Sequence, residues 1–152
     1  IFAILNGKVS TAISHKLARD FQKANLELKP EQWNVLQRLT YHDGVSQQEL
    51  CEVMFKDRPG MVRLVNSMVE AGLVTRTLNR FDRRKNIIRI TEKGKRMQEA
   101  SIRIALQTLR GALRGLSLND IRTTQAVLMK VFENITESLG TKPPTVSKIA
   151  YD

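Results

Sequence analysis

Between Arg80 and Arg96 the chain reads RFDRRKNIIRITEKGKR, and residues 76–96 hold nine Lys/Arg, with Asp82 alone among the basic residues of the turn. Guanidinium and ammonium groups gathered this closely suit an anion that offers charge over a long span, as a nucleic-acid backbone or an anionic membrane surface does. A second set lies upstream in RPGMVRLVN, where Arg58, Arg63 and Asn66 share a short segment. Arg can take a guanine edge or a phosphate with two parallel hydrogen bonds, and Asn can pair with adenine in the same way. Catalytic chemistry has no comparable signature. The chain contains no P-loop, G-x-S-x-G, H-E-x-x-H or dinucleotide fingerprint, so no enzyme is expected. His15 and His42 lack companions at ligand spacing, and neither a metal nor a cofactor is expected. Cys51 has Glu49 and Glu52 nearby and no basic residue beside it in sequence, which raises a thiol pKa. It is expected to be a small buried apolar residue.

The distribution of charge points the same way. The formal net charge is +10. Residues 56–96 hold 12 Lys/Arg against 4 Asp/Glu, and the rest of the chain holds 13 against 11. A surface charged only for solubility mixes its signs throughout. The apolar opening IFAIL is far too short for a membrane span or a signal-peptide core. With one cysteine no internal disulfide can form. A soluble cytoplasmic protein with no membrane partner is expected, and the start at Ile1 rather than Met predicts that N-terminal residues precede it.

Several elements must position these residues. Leu5, Val9, Ile13, Leu17 and Phe21 predict an amphipathic helix over residues 1–25. A second helix begins at Pro30 and passes through Trp33, Leu36 and Leu39, with Trp33 expected in the core. Ser46 and Glu49 form a capping-box pattern for a third, short helix burying Leu50, Val53 and Met54. Asp57 caps a fourth, with Pro59 in its first turn and Gly72 just past its end. Met61, Leu64, Val65 and Met68 recur at i, i+3, i+4, i+7, which turns Arg58, Pro59, Gly60, Val62, Arg63 and Asn66 outward. LVTRTL and IIRIT are extended and flank the turn NRFDRRKN, a β-hairpin whose tip carries Arg80, Asp82, Arg83, Arg84 and Lys85. A helix from Glu92 bears the stripe Ile102, Leu106, Leu109, Leu113 and Leu116, with Gly111 and Gly115 suited to close helix approach. Ser117 and Asp120 cap a last helix with the stripe Leu128, Val131, Phe132, Ile135 and Leu139, and GTKPPT forms a tail. The fold class is mainly α with a small β-hairpin, a winged helix-turn-helix between long terminal helices. Those helices carry more apolar surface than the small centre can cover, so a homodimer is expected.

Taken together, KPEQWNVLQRLTYHDGVSQQEL, MVRLVNSMVEAGLVTR and DRRKNIIRITEKG resemble, in order and at the right spacing, the multiple-antibiotic-resistance regulator (MarR) family of winged-helix regulators. The wing signature falls on Asp82, Arg84, Thr91 and Gly94. Three departures stand out. Lys29 replaces a frequent capping Thr, Ile90 replaces Leu, and RPGMV offers Pro59, Gly60 and Val62 where hydroxyl side chains are common. The last change suggests apolar contact with thymine methyls or close approach in place of hydroxyl contacts.

The resemblance implies a homodimer on pseudo-palindromic double-stranded DNA, acting as a repressor. It implies that Arg84 enters a minor groove, that Asp82 holds an Arg in place, and that a small-molecule effector, unidentified, binds between the dimer helices and the reader. The domains then read as a dimerisation helix (1–27), the reader (28–96), and dimerisation helices with a tail (97–152). An architectural DNA- or RNA-binding protein is the alternative; against RNA, Phe81 is the only aromatic in the hairpin.

Overall fold

A computed structural model of the chain describes residues 1–140; the expected tail after Gly140 and the end of the 97–152 region lie outside the described residues. In chain order the elements are α1 (Phe2–Lys23), α2 (Pro30–Tyr41), β1 (Val45–Ser46), α3 (Gln47–Val53), α4 (Arg58–Glu70), β2 (Val74–Leu78), β3 (Asn86–Ile90), α5 (Glu92–Ala112) and α6 (Leu118–Ser138). The protein is mostly helical with a small antiparallel sheet, a winged helix-turn-helix. Residues group into two units, Ile1–Ala112 and Leu113–Asp152.

Within the first unit, α1 and α2 pack on α5, α3 packs on α4, and α4 packs on β2. Phe21, Leu36, Leu39, Leu50, Met61, Met68 and Ile88 have no exposed surface and form the centre of one core. Truncating any of the larger ones to Ala typically costs about 2–5 kcal/mol. Trp33 is half-buried at the core edge, its ring tilted against Phe21 at 6.4 Å. Of the predicted α3 face, Leu50 is fully buried while Val53 and Met54 are half-buried.

The sheet order is β1-β3-β2, antiparallel throughout. The hairpin β2–β3 was expected. The added strand β1, pairing Val45 with Ile88, was not, because two residues directly before a helix cap carry no alternation to read. The Thr91–Gly94 run locks the base of the wing. Thr91 Oγ1 donates to Gly72 O at 2.6 Å and accepts from Gly94 N at 3.0 Å. A Cβ on Gly94 would stand 2.2 Å from Leu73 O, so only glycine lets α5 begin this close to β2.

In the single chain the long helices bury only part of their apolar stripes. The α1 stripe is buried only at Leu17 and Phe21; Leu5 and Val9 are about half exposed, at 59% and 48%, since nothing in the unit packs on the first turns of α1. The face of α5 that enters the core is Gly94, Gln98, Ser101, Ala105 and Thr108, with Ile102, Leu106 and Leu109 only half-buried beside it. The helix also ends at Ala112, so Leu113 and Leu116 lie beyond it. Among the described residues of the single chain nothing lies near the position of a Cβ on Gly111 or Gly115, and Gly115 supplies the left-handed backbone (φ +85) of the turn after α5.

The second unit holds α6. Ser117 Oγ accepts from Asp120 N at 3.1 Å and Asp120 Oδ2 accepts from Ser117 N at 3.0 Å, the predicted reciprocal cap. Of its stripe, Leu128, Val131 and Phe132 are half-buried and Ile135 and Leu139 are exposed. Among the described residues no helix is long and apolar enough to cross a membrane.

Candidate nucleic-acid interface

The fourth helix forms as its sequence requires. Asp57 Oδ2 accepts from Gly60 N at 3.2 Å, Pro59 occupies the first turn, and Gly72 follows the helix with φ +71. Met61, Leu64, Val65 and Met68 are all buried. That leaves Arg58, Pro59, Val62, Arg63 and Asn66 exposed along the opposite side.

Gly60 is a correction. It was expected on the outward face, but it is buried in the cap: a Cβ there would meet Asp57 Oδ1 at 2.7 Å and Lys56 Cε at 3.1 Å. The periodicity of the helix interior does not hold at its first turn, where the capping side chain folds back over the backbone.

Asn66 is exposed but not idle. Its Oδ1 accepts from Arg76 Nη2, tying α4 to the first wing strand. Arg76 was missed because alternation in a five-residue strand does not say which neighbour a long side chain will reach. A second missed tie is Arg38 Nη2 to Glu49 Oε1 at 2.9 Å, joining α2 to α3. It occupies the Glu49 carboxylate, so the predicted box is half made: Ser46 Oγ accepts from Glu49 N at 3.1 Å and nothing returns. The start of α2 is half made in the opposite sense. Lys29 offers no acceptor, while its N–H donates to Gln32 Oε1 at 3.0 Å.

In the wing tip, Arg80, Arg83, Arg84 and Lys85 are exposed. The resemblance implied that Asp82 pins a guanidinium. Its Oδ1 instead accepts from the backbone N–H of Arg84 at 3.1 Å, and Oδ2 lies 4.0 Å from Lys85 Nζ. An exposed pair that long contributes little. A carboxylate two residues before an N–H closes an Asx turn, so the Asp shapes the loop and leaves the guanidinium free. Asn79 does the same one step earlier, its Oδ1 accepting from Phe81 N at 2.8 Å and Asp82 N at 3.2 Å. An Asn opening a turn was the available signal for that role.

Tertiary folding joins the two basic sets. A cleft of about 580 Å³ is lined by Arg58, Pro59, Val62 and Arg63 of α4, by Arg84, Lys85 and Asn86 of the wing, and by Gln47, Gln48 and Cys51 of α3. Arg80, Arg83, Asn66 and Asp82 stand outside its lining. Burial pushes the Cys51 thiol up, with Arg58 opposing from across the cleft and Asp57 and Glu52 adding to the rise. Cys51 is half-buried against the core, packing as a small apolar residue. Among the described residues no three His, Cys, Asp or Glu side chains are grouped to hold a metal ion.

Comparison with known proteins gives this arrangement its relatives. Residues 26–85, the span from the start of the reader into the wing, match the family model described as MarR family. That stretch of the chain is similar to the MarR family. MarR-family members are transcriptional regulators, not enzymes. A curated relative, the transcriptional activatory protein BadR of Rhodopseudomonas palustris, is 27% identical over 112 residues, which cover 71% of this chain and 64% of that protein's length. A cysteine-to-serine mutant of MarR from E. coli, complexed with operator DNA, superposes with a TM-score of 0.77 at 20% identity, covering 85% of this chain and 91% of that one. CouR from Rhodococcus jostii RHA1, bound to p-coumaroyl-CoA, gives 0.75 at 21% identity over 86% and 91%. At these identities the two structures establish that the MarR fold is shared.

Proposed function

We propose that this protein is a homodimeric transcription regulator of the MarR type that binds pseudo-palindromic duplex DNA through α4 and the wing. The observation that carries the reading is the cleft that brings Arg58 and Arg63 of α4 onto one face with Arg84 and Lys85. A helix in the major groove reads bases from its N-terminal part. In this reading Arg58 takes a guanine edge, Pro59 and Val62 meet thymine methyls, and Asn66 reaches a base or a phosphate from its bond with Arg76. Gly60 contributes by letting the Asp57 cap close. Arg63, Arg80, Arg83 and Lys85 bind phosphates, Arg84 enters the minor groove, and Asp82 sets the shape of the loop.

Residues 1–27 and 97–152 supply the dimer surface, for which the exposed Leu5 and Val9 and the half-buried Ile102, Leu106 and Leu109 are the support. A second cleft, of about 430 Å³, runs from Ala18 and Gln22 of α1 to Lys29 and Pro30 at the start of α2. A small effector held there shifts the population between dimers whose reading heads match the operator spacing and dimers whose heads do not. The acyl-CoA bound by CouR makes thioesters of aromatic acids the first ligands to try. The direction of control was expected to be repression; the activatory role that BadR's name carries favours activation as the second reading.

Selection of bound sequences from random duplex DNA tests the proposal. Inverted half-sites about 10 bp apart, centre to centre, are expected. Binding should weaken steeply with salt, by about 0.9 in log K per log salt for each phosphate neutralised. A steep slope with no enriched sequence would overturn it in favour of an architectural role.

A further inference from the structure

Phe81 stands at the tip of the wing with 99% of its surface exposed. A single exposed apolar side chain is ordinary on a protein surface; what sets this one apart is how it is held and what surrounds it. Its N–H donates to Asn79 Oδ1 at 2.8 Å. The loop is closed on both sides, by Asn79 N to Lys85 O at 2.8 Å and by Lys85 N to Asp82 O at 3.0 Å. The ring is therefore carried on backbone ordered before any partner arrives, which lowers the entropy lost on using it. Arg80, Arg83 and Arg84 are exposed around it, and Arg84 opens onto the same cleft as the reading helix.

An uncharged ring has no use for phosphates. The apolar surfaces of a duplex are the thymine methyls of the major groove and the faces of the base pairs, which are reached from the minor groove only by parting a step. On the DNA-binding reading proposed above, the reading helix takes the first, and the wing lies over the second.

Resting on the DNA-binding reading above, we infer that Phe81 is a wedge. It enters the minor groove beside Arg84 and partly parts one base step in each flank, kinking the duplex toward the major groove. The step best suited is pyrimidine–purine, which unstacks most readily. Phe81 thus confers sequence preference at a position where no hydrogen bond reads a base.

The test uses the full chain and a duplex chosen by the random selection, with 2-aminopurine at the flanking step and a dye pair on the ends. The wild-type chain is expected to raise the 2-aminopurine fluorescence and to shorten the end-to-end distance. Phe81→Ala is expected to lose both signals, bind about ten-fold more weakly, and keep the salt dependence of the wild type, since no cation is removed. Phe81→Leu, which preserves an apolar wedge, should recover most of the loss. Unchanged affinity and fluorescence in Phe81→Ala overturns the wedge. So does a loss of transcription in vitro with DNA binding and fluorescence intact, a result that assigns the ring to a protein partner. A wild-type chain that binds no duplex overturns the DNA-binding reading and the wedge together, and is distinguishable from both of these results.

Discussion

Arg84 is held by its backbone and free at its charge. Asp82 fixes its N–H at 3.1 Å, and its side chain is exposed on the cleft shared with α4. Arg84→Ala should therefore weaken operator binding about ten-fold or more and lower the salt slope by about one phosphate's worth. Thermal unfolding should be unchanged, and equal operator affinity at fixed physiological salt would remove Arg84 from the proposed interface. Gly60 poses a different question, because two effects of similar size oppose one another. Alanine in a helix gains about 1 kcal/mol over glycine. Displacing the Asp57 carboxylate, 2.7 Å from the new methyl, forfeits a cap worth about 1 kcal/mol. Gly60→Ala is thus expected to be close to neutral in the native chain. In an Asp57→Ala background, with no cap left to displace, the same change should stabilise by about 0.5–1 kcal/mol. Urea unfolding of the four proteins measures the cycle; additive effects would show that the methyl and the cap do not compete. The apolar pattern of α4 revealed which side faces outward, while Gly60's burial depends on where one carboxylate folds.

At the scale of elements, the junction of α1 and α5 holds an acid-sensitive contact. Lys16 hydrogen-bonds Asp20, and Thr108 Oγ1 donates to Asp20 Oδ2 at 2.6 Å; together they hold the carboxyl below its ordinary 3.8. Because the folded-state pKa lies below the unfolded one, ionisation favours the folded chain. The contribution is fully present above the unfolded pKa and is lost as the pH falls through the folded one. Thr108→Val should raise the Asp20 pKa toward its ordinary value, cost about 1 kcal/mol at neutral pH, and flatten the loss of stability on acidification. Titration of Asp20 by NMR, with urea midpoints between about pH 6 and 3, checks the sign; an unmoved Asp20 pKa would make the Thr108 contact inconsequential. Neither partner was singled out in the sequence, because they lie 88 positions apart and Thr108 sits on a face that the leucine stripe hid. By contrast the base of the wing was legible. Thr91 and Gly94 are spaced for one helical turn, and that turn is where they act.

For the whole molecule the unsettled surface is apolar. Leu5 and Val9 lie one turn apart on the exposed half of α1. Replacing both with Asp leaves the core untouched, since neither side chain enters it. If α1 forms the dimer, the double variant should sediment as a monomer at about ten-micromolar concentration and lose at least ten-fold in operator affinity, because only one half-site is then engaged at a time. A dimer that persists with full affinity would move the interface away from α1.

Short-range spacing along the chain was enough to write the helix-turn-helix and its wing. Caps such as Ser46–Glu49 and Asp57–Gly60, and the buried row Met61–Leu64–Val65–Met68, arise from residues three or four apart, so composition and spacing suffice to write them. Long-range packing set which face of α5 enters the core, that β1 joins β3, that Arg76 engages Asn66, and that Arg58 and Arg84 line one cleft. Each of those is a choice among partners far apart in the chain: Gln98 pairs with Gln37 at a separation of 61 residues. An apolar stripe says that a helix will bury a face, but the chain fills its own core with whichever face packs most closely. On α5 that was the small and polar one, Ser101, Ala105 and Thr108, which lets α1 approach and leaves Ile102, Leu106 and Leu109 half-buried beside it.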